Sequence, residues 1–258
     1  MKPFFKYTLA AVSLTAIIAV LAIIYSKNEA GRMQMTCTGL EIKIKGEHHF
    51  VSKKDVKSYI EKGYGAYIGQ RIDKMDLTKI EKILDRRSAI LKSEAYTTPD
   101  GRLNIQITQR EPAVRFQKEG YGFYADGRGF IFPLQNNYTS YVPIVDGYIP
   151  LGEGPDFKGA PSDTSEREWL GKILSLTGYM KHSGIWEKAI VQINVSKNGD
   201  LILIPGEGRE RFIFGKPEDI EDKFERIGEY YKSIIPYKGK NHYSVVNVKY
   251  DGQIVCRQ

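Results

Sequence analysis

The sequence is poor in cysteine and shows no repeated pattern. It has two cysteines, Cys37 and Cys256, in 258 residues, which is too few for a disulfide framework. They stand near opposite ends of the polar part of the chain. We therefore favour two separate small hydrophobic side chains, with a bond between them as the alternative. No internal repeat and no low-complexity tract is present, which argues against solenoid and fibrous proteins.

The residues that could support catalysis or bind metal lack the spacing that such chemistry needs. His48 and His49 are successive, and no H-x-x-x-H or C-x-x-C pattern joins them to Cys37. No serine has a nucleophile-elbow context. Four acidic residues suit a loop before a helix N-terminus better than a catalytic pair: Glu207, Glu210, Glu218 and Asp219. We expect no enzyme, no cofactor, no metal site and no small-molecule substrate.

Clusters of basic residues with interleaved aromatics are also missing, which excludes nucleic acid as an expected partner. The net charge of +7 and the pI of about 9.1 are only moderately basic. They indicate at most a loose attraction to anionic lipid or cell wall.

One apolar run stands out, Tyr7–Ser26, which contains no charged residue and no proline. Roughly 20 apolar residues are needed to cross a bilayer as a helix, so the run predicts a membrane anchor. Lys2 and Lys6 precede it without an acidic residue, so the positive-inside rule places residues 1–6 in the cytoplasm and residues 27–258 outside it. A cleaved signal peptide is the main alternative, but its apolar core is shorter and ends in a small-x-small site. A lipoprotein attached at Cys37 lacks the small residues before the cysteine.

A first folded region is predicted over residues 39–110, after a polar linker at 27–38. Alternating LEIKIK predicts a strand, and two amphipathic helices follow, with Ser52 and Asp76 as N-caps. Two strands then flank a Pro-Asp-Gly turn. The order is β-α-α-β-β.

The pattern changes in residues 111–258, where short strand candidates alternate with glycine-rich turns. Asp126-Gly127 and Asn198-Gly199 predict two hairpins. Amphipathic spacing predicts helices over Ser165–His182 and Glu218–Ile235. The expected fold class is α+β: a single N-terminal transmembrane helix, the β-α-α-β-β domain, then a mixed β-sheet domain with flanking helices.

Several stretches resemble the bacterial cell-division protein family FtsQ/DivIB. IKIKGEHHFVSKKDV, IGQRIDKMDLTKIEKIL and DGRLNIQITQREPAVRF resemble a POTRA domain running into its successor. GFYADGRGFIFPLQNNYTSYVPIVDG is similar to the start of that family's β-domain. FIFGKPEDIEDKFERIGEYYKSI and YSVVNVKYDGQIVC are similar to its C-terminal helix and closing strands. The stretch QREPAVRF and the tyrosine-rich β-domain are most similar to family members from the Bacteroidetes.

The resemblance implies a bitopic scaffold of the divisome in the cell inner membrane. Its POTRA domain would contact other divisome membrane proteins, and most of the chain would lie in the periplasm at the division septum. The resemblance also implies that FtsB/FtsL-type bitopic division proteins add a strand at an edge near the C-terminus, as in β-augmentation.

Carried onto this sequence, the resemblance implies a partner-binding segment whose first six residues form the edge strand. The residues are Ser244, Val245, Val246, Asn247, Val248, Lys249, Tyr250, Asp251 and Gly252. Tyr250 would supply an aromatic anchor. Lys249 stands where well-known members carry arginine, and it could pair with a partner carboxylate.

Two other functions are compatible with parts of the pattern. A POTRA-containing assembly factor for outer-membrane or secreted proteins would usually carry several such domains or a transmembrane barrel, and the sequence has one β-α-α-β-β unit. An envelope enzyme would need a cleft with a perturbed acid pair, which no motif here predicts.

Overall fold

The structure, a computed structural model, describes residues 14–25, 35–118 and 120–258. Residues 14–25 form helix α1, with exposed side chains. They belong to the predicted anchor Tyr7–Ser26. The rest of that segment, the tail 1–6 and most of the linker lie outside the described residues. Across those three ranges, no helix has the length and apolar character needed to cross a membrane.

The chain divides into two compact units. The first takes Met1–Glu47 and Val51–Gln109. The second takes His48–Phe50 and Arg110–Gln258.

The first unit has the predicted β-α-α-β-β order. Its elements are β1 (Gly39–Lys45), α2 (Lys53–Gly63), α3 (Leu77–Asp85), β2 (Ile90–Thr97) and β3 (Arg102–Gln109). A short 3₁₀ turn, Ile72–Lys74, precedes α3. The sheet order is β1-β3-β2, with β1 parallel and β2 antiparallel to the central strand. The two helices and the order of the strands confirm the prediction.

Local chemistry explains where these helices start. Ser52 and Asp55 form a full capping box, in which the Ser52 Oγ accepts from the Asp55 N–H and the Asp55 carboxylate accepts from the Ser52 N–H. The same contacts lower the pKa of Asp55. Asp76 caps α3 by accepting from the Lys79 N–H at 2.8 Å. The apolar faces of both helices are then buried.

The second unit is built on one large mixed sheet. Its strands are β4 (Pro112–Lys118), β5 (Tyr121–Asp126), β6 (Ile131–Pro133), β7 (Ile144–Gly147), β8 (Ile190–Val195), β9 (Leu201–Pro205), β10 (Arg211–Gly215), β11 (Val245–Asn247) and β12 (Val255–Arg257). The order across the sheet is β12-β11-β10-β9-β8-β7-β4-β5-β6. Antiparallel pairing of β5 with β6 and of β8 with β9 confirms the two predicted hairpins.

Four helices accompany this sheet. They are α4 (Thr164–Ser183), α5 (Trp186–Ala189), α6 (Ile220–Glu229) and α7 (Ile235–Lys238). Buried residues of α4 and α6, among them Ile173, Leu176 and Phe224, join the strands in one hydrophobic core. The sheet and its helices establish an α+β fold.

The helix predicted over Glu218–Ile235 differs from the observed path. Helix α6 ends at Glu229, and Tyr230–Ile234 continues as a π-helix into α7. Pro236 has no N–H, so it cannot donate to the carbonyl of Lys232 as an α-helix requires. The wider turn keeps Tyr230 buried beneath the last strands.

Candidate functional site

The candidate site is the C-terminal hairpin, Ser244–Arg257, at one end of the large sheet. Strand β11 runs parallel to β10, with Phe212 opposite Val246. It also runs antiparallel to β12, with Val246 opposite Cys256. Strand β11 therefore has a neighbour on each side, and β12 is the outermost strand of the sheet.

This position corrects one expectation. The resemblance implies that Ser244–Lys249 is itself the edge strand, but the Ser244 carbonyl accepts from the Arg211 N–H at 2.9 Å. On the other side, the Ser244 N–H donates to the Arg257 carbonyl at 2.9 Å. The edge lies one strand further along the chain because the turn after β11 folds β12 onto its outer side.

The hydrogen-bonding direction of β12 follows from the ladder. The Ser244 carbonyl and the Val248 N–H bond towards β10, where their partners are the Arg211 N–H at 2.9 Å and the Ile213 carbonyl at 3.0 Å. Backbone groups of a strand alternate in direction, so Val245 and Asn247 bond towards β12, opposite Arg257 and Val255. The N–H and C=O of Cys256 consequently point away from the sheet.

The turn between the two strands is held by two basic side chains. The Arg226 guanidinium donates to the Val248 carbonyl at 3.1 Å and lies 3.4 Å from the Asp251 carboxylate. The Lys249 ammonium lies 3.3 Å from the Asp200 carboxylate and 5.1 Å from the centre of the Tyr250 ring. The bond to Asp200 raises the pKa of Lys249. The turn is therefore ordered before any partner arrives.

The predicted site residues divide into three groups by their exposure. Val246 and Val248 are fully buried and hold the strand in the core, while Val245, Asn247 and Lys249 are half-buried. The remaining four are exposed: Ser244, Tyr250, Asp251 and Gly252. Lys249 is already paired within the chain, so the exposed Tyr250 is the better placed of the two to meet a partner.

Beneath the hairpin lies a cluster of tyrosines around a buried acid. Glu210 is 4% exposed, and its carboxylate accepts from the Tyr231 hydroxyl at 2.9 Å. Burial raises the pKa of Tyr231, and the Glu210 charge acts in the same direction. Burial likewise raises the pKa of Tyr230 to about 12. These phenols stay neutral at physiological pH, and both rings pack against Phe212 of β10.

The histidines and Glu218, considered above as catalytic or metal-binding candidates, have structural partners. His48 and His49 pack against the ring of Tyr138. Glu218 pairs with Lys172 at 2.8 Å. Cys37 and Cys256 are free thiols. Within the described ranges, no group of three or more His, Cys, Asp or Glu side chains is arranged to hold a metal ion.

The strand that forms the edge is β12, which the sequence pattern did not indicate as a binding element. Gln253–Cys256 is predicted as a closing strand, but Val255, Cys256 and Arg257 are not among the predicted binding residues. The hairpin pattern in the sequence does not indicate which of its two strands pairs with β10 and which one forms the edge.

Comparison with known protein families gives two matches. Residues 111–257 match the family described as FtsQ/DivIB, C-terminal related, and residues 35–108 match a POTRA-like domain. A search among curated proteins returned no match. The first match covers more than half of the chain and includes the whole C-terminal hairpin. The chain belongs to the FtsQ/DivIB family.

Proposed function

We propose that this protein is a bitopic inner-membrane scaffold of the divisome that binds other division proteins through the outer edge of β12. Family membership points to a role in cell division, and both matched domains are of a scaffold type. The observation that carries the proposal is the outward direction of the Cys256 backbone at the end of the sheet. Such an edge is a template for an added strand.

The side chains around this edge set what the added strand must offer. Val255 is 39% exposed and gives a small apolar contact, and the exposed Tyr250 adds an aromatic one. Arg257 and Arg211 are exposed, and both lie opposite Val245, one on each side of β11. A partner strand with alternating apolar and acidic residues fits this surface, and the partners we propose are FtsB/FtsL-type bitopic division proteins.

Order in the free protein favours binding at this edge. Arg226 and the Lys249–Asp200 pair fix the turn, and the tyrosine cluster supports the strands from below. On binding, mainly the partner strand then loses conformational freedom, because the hairpin of this protein is already ordered. This lowers the entropic cost of association.

The POTRA-like unit supplies a second proposed contact surface for other divisome membrane proteins. A cavity of about 830 Å³ lies beside the edge strand β1 and helix α2. Leu40, Ile42 and Ile68 give it apolar walls, and Lys53 and Lys57 stand at its rim. Exposed Ile68, at 56%, is the kind of side chain that a partner covers.

Membrane attachment completes the proposal. Residues 1–6 lie in the cytoplasm, 7–26 cross the inner membrane, 27–38 link, and the domains 39–110 and 111–258 lie in the periplasm. Positive charge before the apolar run supports this orientation. Confinement to one membrane raises the effective concentration of partners, so weak contacts suffice.

The test is a pull-down of the FtsB- and FtsL-type periplasmic domains with backbone-directed variants. Cys256→Pro removes the outward N–H and leaves the bonds to β11 in place, so we expect binding to be lost. Cys256→Ala is the matched control, because it removes the thiol and keeps the donor. Tyr250→Ala should weaken binding about tenfold or more, the effect of losing an aromatic anchor.

Urea midpoints of all variants establish that they fold. Retained partner binding by a folded Cys256→Pro protein contradicts strand addition at β12. Equal loss of binding in Cys256→Ala would assign the effect to the thiol instead.

A further inference from the structure

A second concavity of the sheet unit lies away from its strand edges. It has a volume of about 370 Å³ and is formed by four separate segments: the residues after β7, the first half of α4, the β8–β9 turn and the β10–α6 connection. Its principal side chains are Tyr148, Trp169, Lys172, Lys197, Lys216 and Glu218. We call it the Tyr148–Trp169 pocket. Its size lies in the range of small-ligand sites.

The aromatic walls of this pocket are fixed by the fold. Gly147 has φ +86°, and a Cβ there would collide with the Val195 carbonyl oxygen. That close approach lets the Tyr148 N–H donate to the Val195 carbonyl at 2.8 Å, which leaves the Tyr148 ring 56% exposed. Trp169 packs against Phe116 with ring centroids 6.0 Å apart. The fold therefore places both residues at the pocket before any ligand binds.

Three ammonium groups stand around the rings, with one carboxylate. Lys172 is paired with Glu218 at 2.8 Å. Lys197 lies 5.7 Å from the centre of the Tyr148 ring, and Lys216 donates to the Asn198 carbonyl at 2.8 Å. In the part of the chain that the structure describes, neither Lys197 nor Lys216 lies within 4.0 Å of a carboxylate oxygen, although the Lys172 bond and, to a smaller extent, the Lys216 charge lower the pKa of Glu218. The pocket thus presents two cations that an anion could bind.

The backbone around the pocket is already paired, which limits the shape of a ligand. Strand β8 lies between β7 and β9, and the Ser196 N–H donates to the Asp200 carbonyl at 2.9 Å across the turn. An extended peptide would find no free strand edge here. A compact molecule that interacts only with side chains fits better.

The ligand must combine a flat apolar face with a negative charge. The faces of aromatic rings carry negative charge density, so they attract the weakly positive C–H groups on one face of a sugar ring. Lysine ammonium groups bind carboxylates through charge-assisted hydrogen bonds. The hydroxyls of a sugar remain in water at the open side of the pocket.

We propose that the Tyr148–Trp169 pocket binds a carboxylate-bearing saccharide, with its ring against Tyr148 and Trp169 and its carboxylate between Lys197 and Lys216. This site is separate from the β12 edge and does not depend on partner binding. It adds recognition of an acidic glycan to the chain, where the sequence predicts no small-molecule substrate.

The experiment titrates the full chain by calorimetry with a matched set of probes. N-acetylmuramic acid carries both ring and carboxylate, N-acetylglucosamine has the ring without the acid, and lactate has the acid without the ring. We expect the first to bind at least about tenfold more tightly than either of the others. Glucuronic acid, with the carboxylate on the ring itself, distinguishes which placement of the acid the pocket accepts.

Variants locate the binding. Lys197→Gln and Lys216→Gln should each weaken N-acetylmuramic acid about tenfold, and Tyr148→Leu should do the same. Lys181→Gln, on the last turn of α4, and Tyr141→Leu, which is 81% exposed in the wild type, are the matched controls and should bind normally. Absence of heat with both acidic sugars, equal affinity for lactate, or unchanged affinity in all three pocket variants overturns the proposal.

Discussion

Asp126 connects three parts of the sheet unit through one carboxylate. It accepts from the Arg110 guanidinium at 2.8 Å and from the N–H groups of Arg128 and Phe130. Arg110 also lies over the ring of Phe130, 3.5 Å from its centre. The Asp126–Arg110 pair is nearly buried, so removing one partner leaves a charge away from water.

We therefore predict that Asp126→Ala lowers the free energy of unfolding by about 3–5 kcal/mol. Urea denaturation followed by fluorescence measures the change. Glu218→Gln, which breaks the solvent-exposed pair with Lys172, is the control and should leave the midpoint where it was. A loss in Asp126→Ala as small as in this control would show that the buried pair contributes little.

Glu153 is held in an unfavourable setting for a charged group. Burial raises its pKa, and the neighbouring Glu166 carboxylate acts in the same direction. Its Oε2 atom is buried and has no hydrogen-bond partner. Because the raised pKa belongs to the folded state, the folded protein holds this proton more tightly than the unfolded chain does. Stability therefore falls as pH rises from about 4.3, the ordinary value for glutamate, through the raised pKa.

Glu153→Gln removes that titration, so we predict a higher urea midpoint than wild type at pH 7 and little difference at pH 4. Midpoints measured across this range test the sign. Glu168→Gln, an exposed change on α4 two residues from Glu166, should show no such trend. A Glu153→Gln protein that is less stable than wild type at pH 7 contradicts the prediction.

At the scale of elements, the pairing of β10 with the C-terminal hairpin depends on a glycine. Gly215 has φ +79°, and a Cβ at this position would lie 2.8 Å from the Cβ of Lys249. We predict that Gly215→Ala destabilises the protein by about 1–3 kcal/mol, the cost of a strained backbone conformation. Hydrogen exchange should show the loss in β11 and β12.

Gly171→Ala is the matched glycine control, since its added Cβ would meet nothing within 4 Å. It lies inside α4, where alanine should add about 0.5–1 kcal/mol. Equal behaviour of the two variants would mean that the contact between Gly215 and Lys249 does not govern the pairing.

Local patterns predicted the elements that depend on neighbours in sequence. Asp126-Gly127 and Asn198-Gly199 predicted hairpins because such turns need residues that tolerate positive φ, and the structure places that conformation at Gly129 and Gly199. The Ser52 and Asp76 caps placed two helix starts because their side chains bond N–H groups only three residues away. Local patterns could not show that β12, and not Ser244–Lys249, is the outermost strand. That depends on which strand of the hairpin pairs with β10.

The same limit explains what was missed in both proposed sites. Tyr148, Trp169 and Lys197 come from three segments, and no spacing in the sequence signals that they meet. The π-helix within the predicted helix Glu218–Ile235 was not predicted either. Its wider turn changes the helical period but not the amino-acid composition.

At the scale of the whole molecule, attachment and domain order predict where the protein acts. A fluorescent protein fused to the N-terminus should form a band at midcell in dividing cells, since the proposed partners assemble there. Deletion of residues 7–26 should abolish the band, because we propose that this segment confines the chain to the membrane. A uniform rim around the cell with the full chain contradicts the division role.

The position of Cys256 also allows partner binding at β12 to be followed through the labelling rate of its thiol. It is one of two thiols in the chain, and the other, Cys37, is 1% exposed. Burial raises the pKa of Cys256, so its thiol should react slowly with an alkylating reagent. The thiol is only partly buried, so the reagent still reaches it in the free protein. Because this side chain is half-buried in the outermost strand, its labelling rate should respond when that strand gains a neighbour. Occupancy of the edge could then be followed in the wild-type protein, without an engineered probe.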